Sequence, residues 1–254
     1  MGFSADWLAL REPADHAARD GGLLRAAARA AGPKAVVVDL GCGTGSTRRA
    51  FASSLPGAVW RMVDADADLL ALAGGEAFRL DLNRVEALPL EGAGLVTASA
   101  LIDLVSADWL DRLIGRLSAL RLPFYAALCY DGRMDWTPEV AGDAEVTEAF
   151  NRHQAGDKGF GPALGPRAAE YAAERLRAAG FVVQLAGSPW LLGPEEAALQ
   201  AALLPGIAGA AAETGAAIAE GWCRERLAAL PQAICRIGHV DLLALPDDFA
   251  GQGE

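Results

Sequence analysis

Cysteine and histidine are both scarce: the chain of 254 residues holds four of the former and three of the latter. Cys42, Cys129, Cys223 and Cys235 stand far apart with no CxxC pair, and His16, His153 and His239 are equally dispersed. That spacing argues against a disulfide framework or a structural zinc site and leaves reduced thiols filling small core spaces. Long apolar runs are missing too. Mean hydropathy is +0.20, yet no window approaches the roughly eighteen uninterrupted apolar residues that mark a membrane span. Positive charge is in deficit, 22 basic residues against 33 acidic giving a net charge of −11. The basic clusters are short, Arg48-Arg49 and the scattered Arg175, Arg177, Arg224 and Arg226, and read as solvated helix faces. A nucleic-acid backbone would be repelled at long range, so neither nucleic acid nor membrane is expected as a partner. Residues 1–6 have neither the basic start nor the apolar run of a secretory leader, so a cytoplasmic location is expected.

What the chain does have is alanine-weighted hydrophobicity, 52% of all residues, and a regular alternation of short apolar runs with helical stretches. Residues 7–10 and an alanine-rich stretch to 31 read as helices, with Pro13 as a helix-starting proline. Strands are expected at 35–40, a β-branched run suited to burial on both faces, then at 59–64, 78–80, 95–98 and 123–129. Between them lie a short helix at 67–73 and an amphipathic helix at 107–120 with Ser106 as its N-cap. Such alternation predicts an α/β fold, a mostly parallel sheet with helices on both faces. Beyond Tyr130 the rhythm changes. Residues 131–165 read as a long insertion, followed by a helix at 167–179, a strand at 181–186, a mostly helical insertion over 188–233 and a last strand at 234–243.

The segment that carries chemistry is Val36-Val-Val-Asp39-Leu-Gly41-Cys42-Gly43-Thr-Gly45-Ser46. A buried strand ends in a carboxylate, and glycines at alternate positions lead into a helix, so a ligand can approach the main chain without meeting a Cβ. A nicotinamide fingerprint would be GxGxxG, with its third small residue where Ser46 stands. Asp39 also suits a cationic or hydrogen-donating ligand better than a pyrophosphate.

The residues DLGCGTG closely resemble the first motif of the class I S-adenosylmethionine-dependent methyltransferases. The resemblance covers roughly residues 14–130 and implies a Rossmann-like seven-stranded sheet with an antiparallel last strand and helical insertions, one domain over 1–254. Residues 1–32 would be N-terminal helices, 33–130 the cofactor-binding half, and 131–165 and 188–233 substrate or lid insertions. It implies S-adenosylmethionine as cofactor and S-adenosylhomocysteine as product. Asp39, Gly41, Cys42, Gly43 and Gly45 would form the cofactor loop. Asp64, with Ala65, stands where the family accepts both ribose hydroxyls, and Asp81, with Leu82, where it meets the adenine amino group. Ser99 lies in a segment resembling the fourth-strand motif near the transferred methyl. The family often begins that strand with an acid, where this chain has Gly94. Arg19 would either pair the methionine carboxylate or solvate a helix surface.

In-line methyl transfer relies mainly on proximity and water exclusion. If a base is used, the candidates are Asp103, His153 and Tyr130. The connections beyond the fifth and sixth strands start on the ligand side of the sheet, so Arg133, Trp136, Phe160 and Trp190 are expected to hold a small-molecule acceptor. The fourth strand is followed by Ser99-Ala-Leu-Ile rather than the Asn/Asp-Pro-Pro-Tyr/Phe of DNA amino-methylating relatives. The helical insertion either covers a pocket or pairs two copies as a homodimer. Two other readings stand beside the enzyme: a non-catalytic S-adenosylmethionine-binding or interaction protein, and a nicotinamide oxidoreductase, which Ser46 and Asp39 disfavour.

Overall fold

The structure is a computed structural model that describes residues 3–247 and 249. Two helices come first, α1 (Ala5–Ala18) and α2 (Gly21–Ala31), then β1 (Val36–Leu40), α3 (Ser46–Ala50), β2 (Val59–Asp64), α4 (Ala67–Ala73), β3 (Glu76–Arg79) and β4 (Leu95–Ser99). The second half holds α5 (Ala107–Ala119), β5 (Phe124–Thr137), α6 (Asp143–Gln154), α7 (Ala168–Ala178), β6 (Phe181–Gly187), β7 (Trp190–Leu192), α8 (Ala197–Glu213), α9 (Ala219–Ala229) and β8 (Ile234–Pro246). The strands lie in the order β3-β2-β1-β4-β5-β8-β6, with β7 paired to β8 off that path. The β3, β2, β1, β4 and β5 neighbours pair in parallel, whereas β8 runs antiparallel to β5, β6 and β7.

Strand alternation divides the core between the two faces of the sheet. Val38, Leu40, Val96, Ala98, Phe124 and Ala126 pack on one side with Trp109, Leu110, Leu113 and Leu117 of α5 and the alanines of α7. Val37, Leu95, Tyr125 and Ala127 face the other side, against Leu23, Ala27 and Ala28 of α2, Phe51 and Trp60. The helix α5 starts where its sequence says it should, with Ser106 Oγ accepting from Trp109 N at 3.2 Å. A third apolar cluster stands beyond the sheet's ligand end, joining Tyr130, Met134 and Trp136 of β5 to α6, β7, α8 and α9.

Three expectations are corrected. Pro13 does not start a helix but lies inside α1. The helix is nucleated earlier, by Ser4 Oγ accepting from Trp7 N at 3.1 Å, and tertiary bonds from Glu12 to Arg49 and from Asp15 to Trp190 hold it through the proline. The break falls instead at Asp20, whose carboxylate caps α2 by accepting from Leu23 N at 2.7 Å. The fifth strand does not end at Cys129 but continues to Thr137, because β8 is long enough to pair with it throughout. Register shifts between Ala126 and Cys129 and between Tyr130 and Met134 absorb the extra residues. The expected loop at 131–165 is therefore strand over its first part and helix α6 over much of the rest. The short β7 was not expected at all.

One side chain ties these parts together. Asp241 of β8 is fully buried and accepts from Asp20 N at 3.0 Å, Tyr125 Oη at 2.9 Å and Leu128 N at 2.9 Å. Substituting Asp241→Ala strands two buried donors and a half-buried one. The expected loss is about 3–5 kcal/mol, at roughly 1–3 kcal/mol for each donor left unpaired, against about 1 kcal/mol for Tyr125→Phe, both read from urea unfolding. A loss near zero for Asp241→Ala would contradict this account.

Candidate functional site

Two adjoining cavities open at the carboxyl ends of the parallel strands. The first, of about 260 Å³, is lined by the glycine loop (Gly41, Cys42, Gly43, Thr44), by Ser46, Thr47, Asp64, Ala65, Asp66 and Leu69, by Ser99, Ala100 and Leu128, and by Phe3, Leu8, Arg11, Asp15 and Arg19 from the N-terminal side. The loop bends on positive-φ glycines. Gly45, at φ +84°, also lies so close to the Ala73 carbonyl that an added Cβ would collide with it. Gly41 N and Cys42 N donate to Val63 O at 2.9 and 3.1 Å, which fastens the loop to β2. Asp64 holds it from the other side, its two oxygens accepting from Gly43 N at 2.9 Å and Asp66 N at 3.0 Å.

Beside the loop, Arg19 is buried, its Nη2 donating to Ser99 Oγ at 2.9 Å, while Thr47 and Ser99 hydroxyls meet at 3.0 Å. Its Nε and Nη1 have no partner among the described residues, and neither does Oδ2 of Asp39. Asp39 accepts from Thr97 Oγ1 at 2.8 Å through its other oxygen. Burial pushes its carboxyl up to about 7, with Thr97 and Arg19 opposing. Arg19 thus brings an incompletely paired cation to the wall of the first cavity, while Asp39, 1% exposed, lies behind the glycine loop and lines neither cavity.

The second cavity, about 170 Å³, shares Phe3, Arg11, Ala100 and Leu128 with the first and adds Trp7, Asp103, Leu104, Tyr130, Met134, Phe150, Gln154, Trp190, Leu203, Ile207, Ile237 and His239. Ala100 and Leu128, where the cavities meet, both have positive φ, 48° and 55°, a costly conformation for side-chain-bearing residues. Arg11 forks onto Asp15 at 2.9 and 3.1 Å and lies 4.9 Å over the Trp190 ring, whose Nε1 donates to Asp15 at 3.0 Å. Asp103 Oδ1 and His239 Nδ1 are buried without a partner among the described residues. Burial raises the Asp103 carboxyl to about 6, against its own backbone hydrogen bond and Arg11. Burial, reinforced by Arg11, lowers the His239 imidazole to about 3. Tyr130 donates to Asn151 Oδ1 at 2.8 Å.

Of the residues singled out from the sequence, Gly41, Cys42, Gly43, Asp64, Ala65, Ser99 and Arg19 line the first cavity, and Asp103, Tyr130 and Trp190 line the second. Others lie elsewhere. Asp81 is exposed and caps Asn83 N at 2.9 Å, and the Leu82 carbonyl accepts from Trp109 Nε1 at 2.7 Å. Trp136 is core, edge-on to Trp222 and beneath Arg226, because β5 carries it into the third cluster. Arg133 projects to solvent from the extended strand beside Asp131, and Phe160 packs edge-on against Trp109. His153 stands away from the second cavity, held by Glu213 at 3.1 Å and Lys158 at 3.0 Å. The residues missed were Arg11, Asp15 and His239. Nothing local marks them, since α1 and β8 meet the site only through tertiary folding. Among the described residues no cluster of three His, Cys, Asp or Glu could hold a metal, and no helix is long and apolar enough to cross a membrane.

No protein-family model matches the chain, and neither does any curated protein sequence. Solved structures do share its fold. A cyclopropane synthase from Mycobacterium tuberculosis is 12% identical with a TM-score of 0.54, over 95% of this chain and 94% of that one. A cyclopropane-fatty-acyl-phospholipid synthase-like protein from Lactobacillus casei is 13% identical with a TM-score of 0.51, over 96% and 95%. A protein assigned as a type II methyltransferase from Anaeromyxobacter dehalogenans is 17% identical with a TM-score of 0.51, over 89% and 96%. The chain has the class I methyltransferase fold, with one short strand beyond the expected seven.

Because the His239 pKa is depressed in the folded state, the unfolded chain takes up this proton first as pH falls below about 6.5, so the residue withdraws stability on acidification. Ring-nitrogen chemical shifts of His239 are expected to stay those of a neutral imidazole from pH 8 to about 5. A titration midpoint near 6.5 would overturn the buried placement.

Proposed function

We propose that the chain is an S-adenosylmethionine-dependent methyltransferase acting on a small-molecule acceptor. The observation that carries this reading is the glycine-loop cavity walled by Asp64 and by Arg19 with its unpartnered nitrogens, with the unpartnered Asp39 Oδ2 behind the loop. Arg19 and Asp39 fit the carboxylate and ammonium of the cofactor's amino-acid end. Asp64 keeps a lone pair on each oxygen beyond its backbone bonds and fits the ribose diol. Ala65 and Leu69 offer apolar contact for the base. When bound, this cofactor supplies an electrophilic methyl group on a sulfonium.

The chain's own residues then have three tasks. Arg19, Asp39 and Asp64 fix the cofactor's polar groups. Phe3 and Arg11 wall both cavities from the N-terminal side, with Leu8 at the first and Trp7 at the second, and exclude water when ligand is bound. Asp103 stands in the second cavity with a free acceptor position for the proton of an attacking hydroxyl or amine, and His239, held neutral, offers a hydrogen-bonding position beside it. These two groups give the second cavity a polar end beside its apolar walls, which an acceptor nucleophile would use. Tyr130, committed to Asn151, positions rather than ionises; burial and the neighbouring Asp131 raise its hydroxyl well above the usual range.

Calorimetric titration with S-adenosylmethionine tests the reading. Asp64→Ala is expected to weaken binding at least about tenfold, since each charge-assisted hydrogen bond is worth roughly 1.5–3 kcal/mol. The affinity is also expected to depend on Asp39. The bound ammonium favours the carboxylate, so affinity is full above pH 7 and falls by up to about tenfold per unit below it, and Asp39→Asn flattens that profile. Absence of binding by the folded wild type would refute the cofactor. Binding without formation of S-adenosylhomocysteine across a broad acceptor panel would favour the non-catalytic alternative.

A further inference from the structure

A third cavity adjoins the second and is the largest of the three, about 690 Å³. The two share Phe3, Trp7, Leu104, Phe150, Gln154, Leu203 and Ile207. The three spaces therefore run in series from the glycine loop, through the chamber that holds Asp103 and His239, to an outer chamber at α6 and α8. The helix α8 is apolar on all sides. Leu199, Leu204, Ile207, Ala208 and Ala211 are packed in the third cluster, while Ala202, Leu203, Gly206 and Ala210 line the outer chamber. A helix without a polar face needs a partner on both sides, and Gly206, whose added Cβ would meet no atom within 4 Å, has open space on this one.

Resting on the methyltransferase reading above, we propose that the acceptor is an elongated, mainly apolar molecule, its stem in the outer chamber and a neutral hydroxyl or amine at its inner end, facing Asp103 and His239. The inner chamber selects this end group. Asp103 and His239 are 6% and 7% exposed, with atoms that have no partner among the described residues, so a donor group arriving there pairs with polar atoms left open by the protein. The lining cation, Arg11, is already neutralised by Asp15, which leaves no charge there for an anionic nucleophile. The outer chamber selects the stem. Its volume falls within the range of ligand sites. Its ionisable groups, His153, Asp157 and Lys158, gather on the α6 side, with Lys158 held by His153 and His153 by Glu213.

The test uses 4-alkylphenols, tails lengthened from methyl to octyl, titrated calorimetrically into the full chain, with S-adenosylhomocysteine titrated into the same preparation. Affinity is expected to rise up to about fourfold per methylene, the worth of roughly 0.8 kcal/mol for a buried CH₂, until the outer chamber is filled. Gly206→Trp puts a side chain into that chamber and is expected to cost the octyl compound at least about tenfold while leaving the methyl compound and S-adenosylhomocysteine unchanged. Ala202→Trp repeats the test from the next turn, should the glycine variant fold poorly. Normal S-adenosylhomocysteine binding with no dependence on tail length would overturn this inference and leave the cofactor reading intact. Tail-dependent binding without S-adenosylhomocysteine binding would overturn both, making the chamber a carrier site. A dimer in sedimentation that Gly206→Trp dissociates, with no tail dependence, would assign the surface to a second copy of the chain.

Discussion

The buried carboxylate of Asp241 is the fixed point on which the ligand end of this molecule is assembled. It receives a donor from each of three places: the junction of the first two helices at Asp20, the aromatic Tyr125 near the start of β5, and the backbone of Leu128 where that strand is distorted. Each of these positions something in the site. Asp20 follows Arg19 directly, so the same bond that docks the junction sets the guanidinium beside Ser99 and Thr47. Leu128 is held at positive φ next to a register shift, which lets β5 continue past the sheet and carry Tyr130 into the second cavity. A buried carboxylate with three donors is stable only as a completed set, so the site's geometry and the fold's integrity depend on the same group.

The fold was legible in the sequence wherever local chemistry and tertiary packing asked for the same thing. The β-branched run before Asp39, the strand ending at Asp64, the short helix α4 and the Ser106 cap of α5 all formed where their residues indicate. Errors cluster where packing overrides local preference. Pro13 is a strong helix-starting signal, but α1 is held by distant partners on either side of it, at Glu12 and Asp15, and runs through it. The stretch after Cys129 reads as a loop because its glycine, aspartates and aromatics do not alternate cleanly, and only pairing with β8 makes it a strand.

The site divides along the same line. The glycine loop, Asp64 and Ser99 belong to a contiguous unit whose spacing is readable along the chain. His239, Arg11 and Asp15 come from the two ends of the sequence and acquire meaning only when α1, β7 and β8 converge. Trp136 was misplaced for the opposite reason. An aromatic in a supposed loop looks like a pocket wall, but the same residue on a strand alternates inward and becomes core. The buried polar groups also show what low dielectric does to signs: the carboxyls of Asp39 and Asp103 rise while the imidazole of His239 falls, so all three are drawn toward neutrality before any ligand arrives.

The N-terminal helix has a role that follows from its double membership. Arg11 borders both inner cavities, and α1 is fastened to the rest through side chains alone: Glu12 to Arg49, His16 to Ser46, Asp15 to Trp190. Those fastenings land on the glycine-loop helix on one side and on β7 on the other. The helix is therefore already docked as a wall common to both chambers. By thermodynamic reciprocity, whatever factor the first ligand adds to the affinity for the second, the second returns to the first. Two sites that share one wall are not independent: a substitution at Arg11 touches the lining of both.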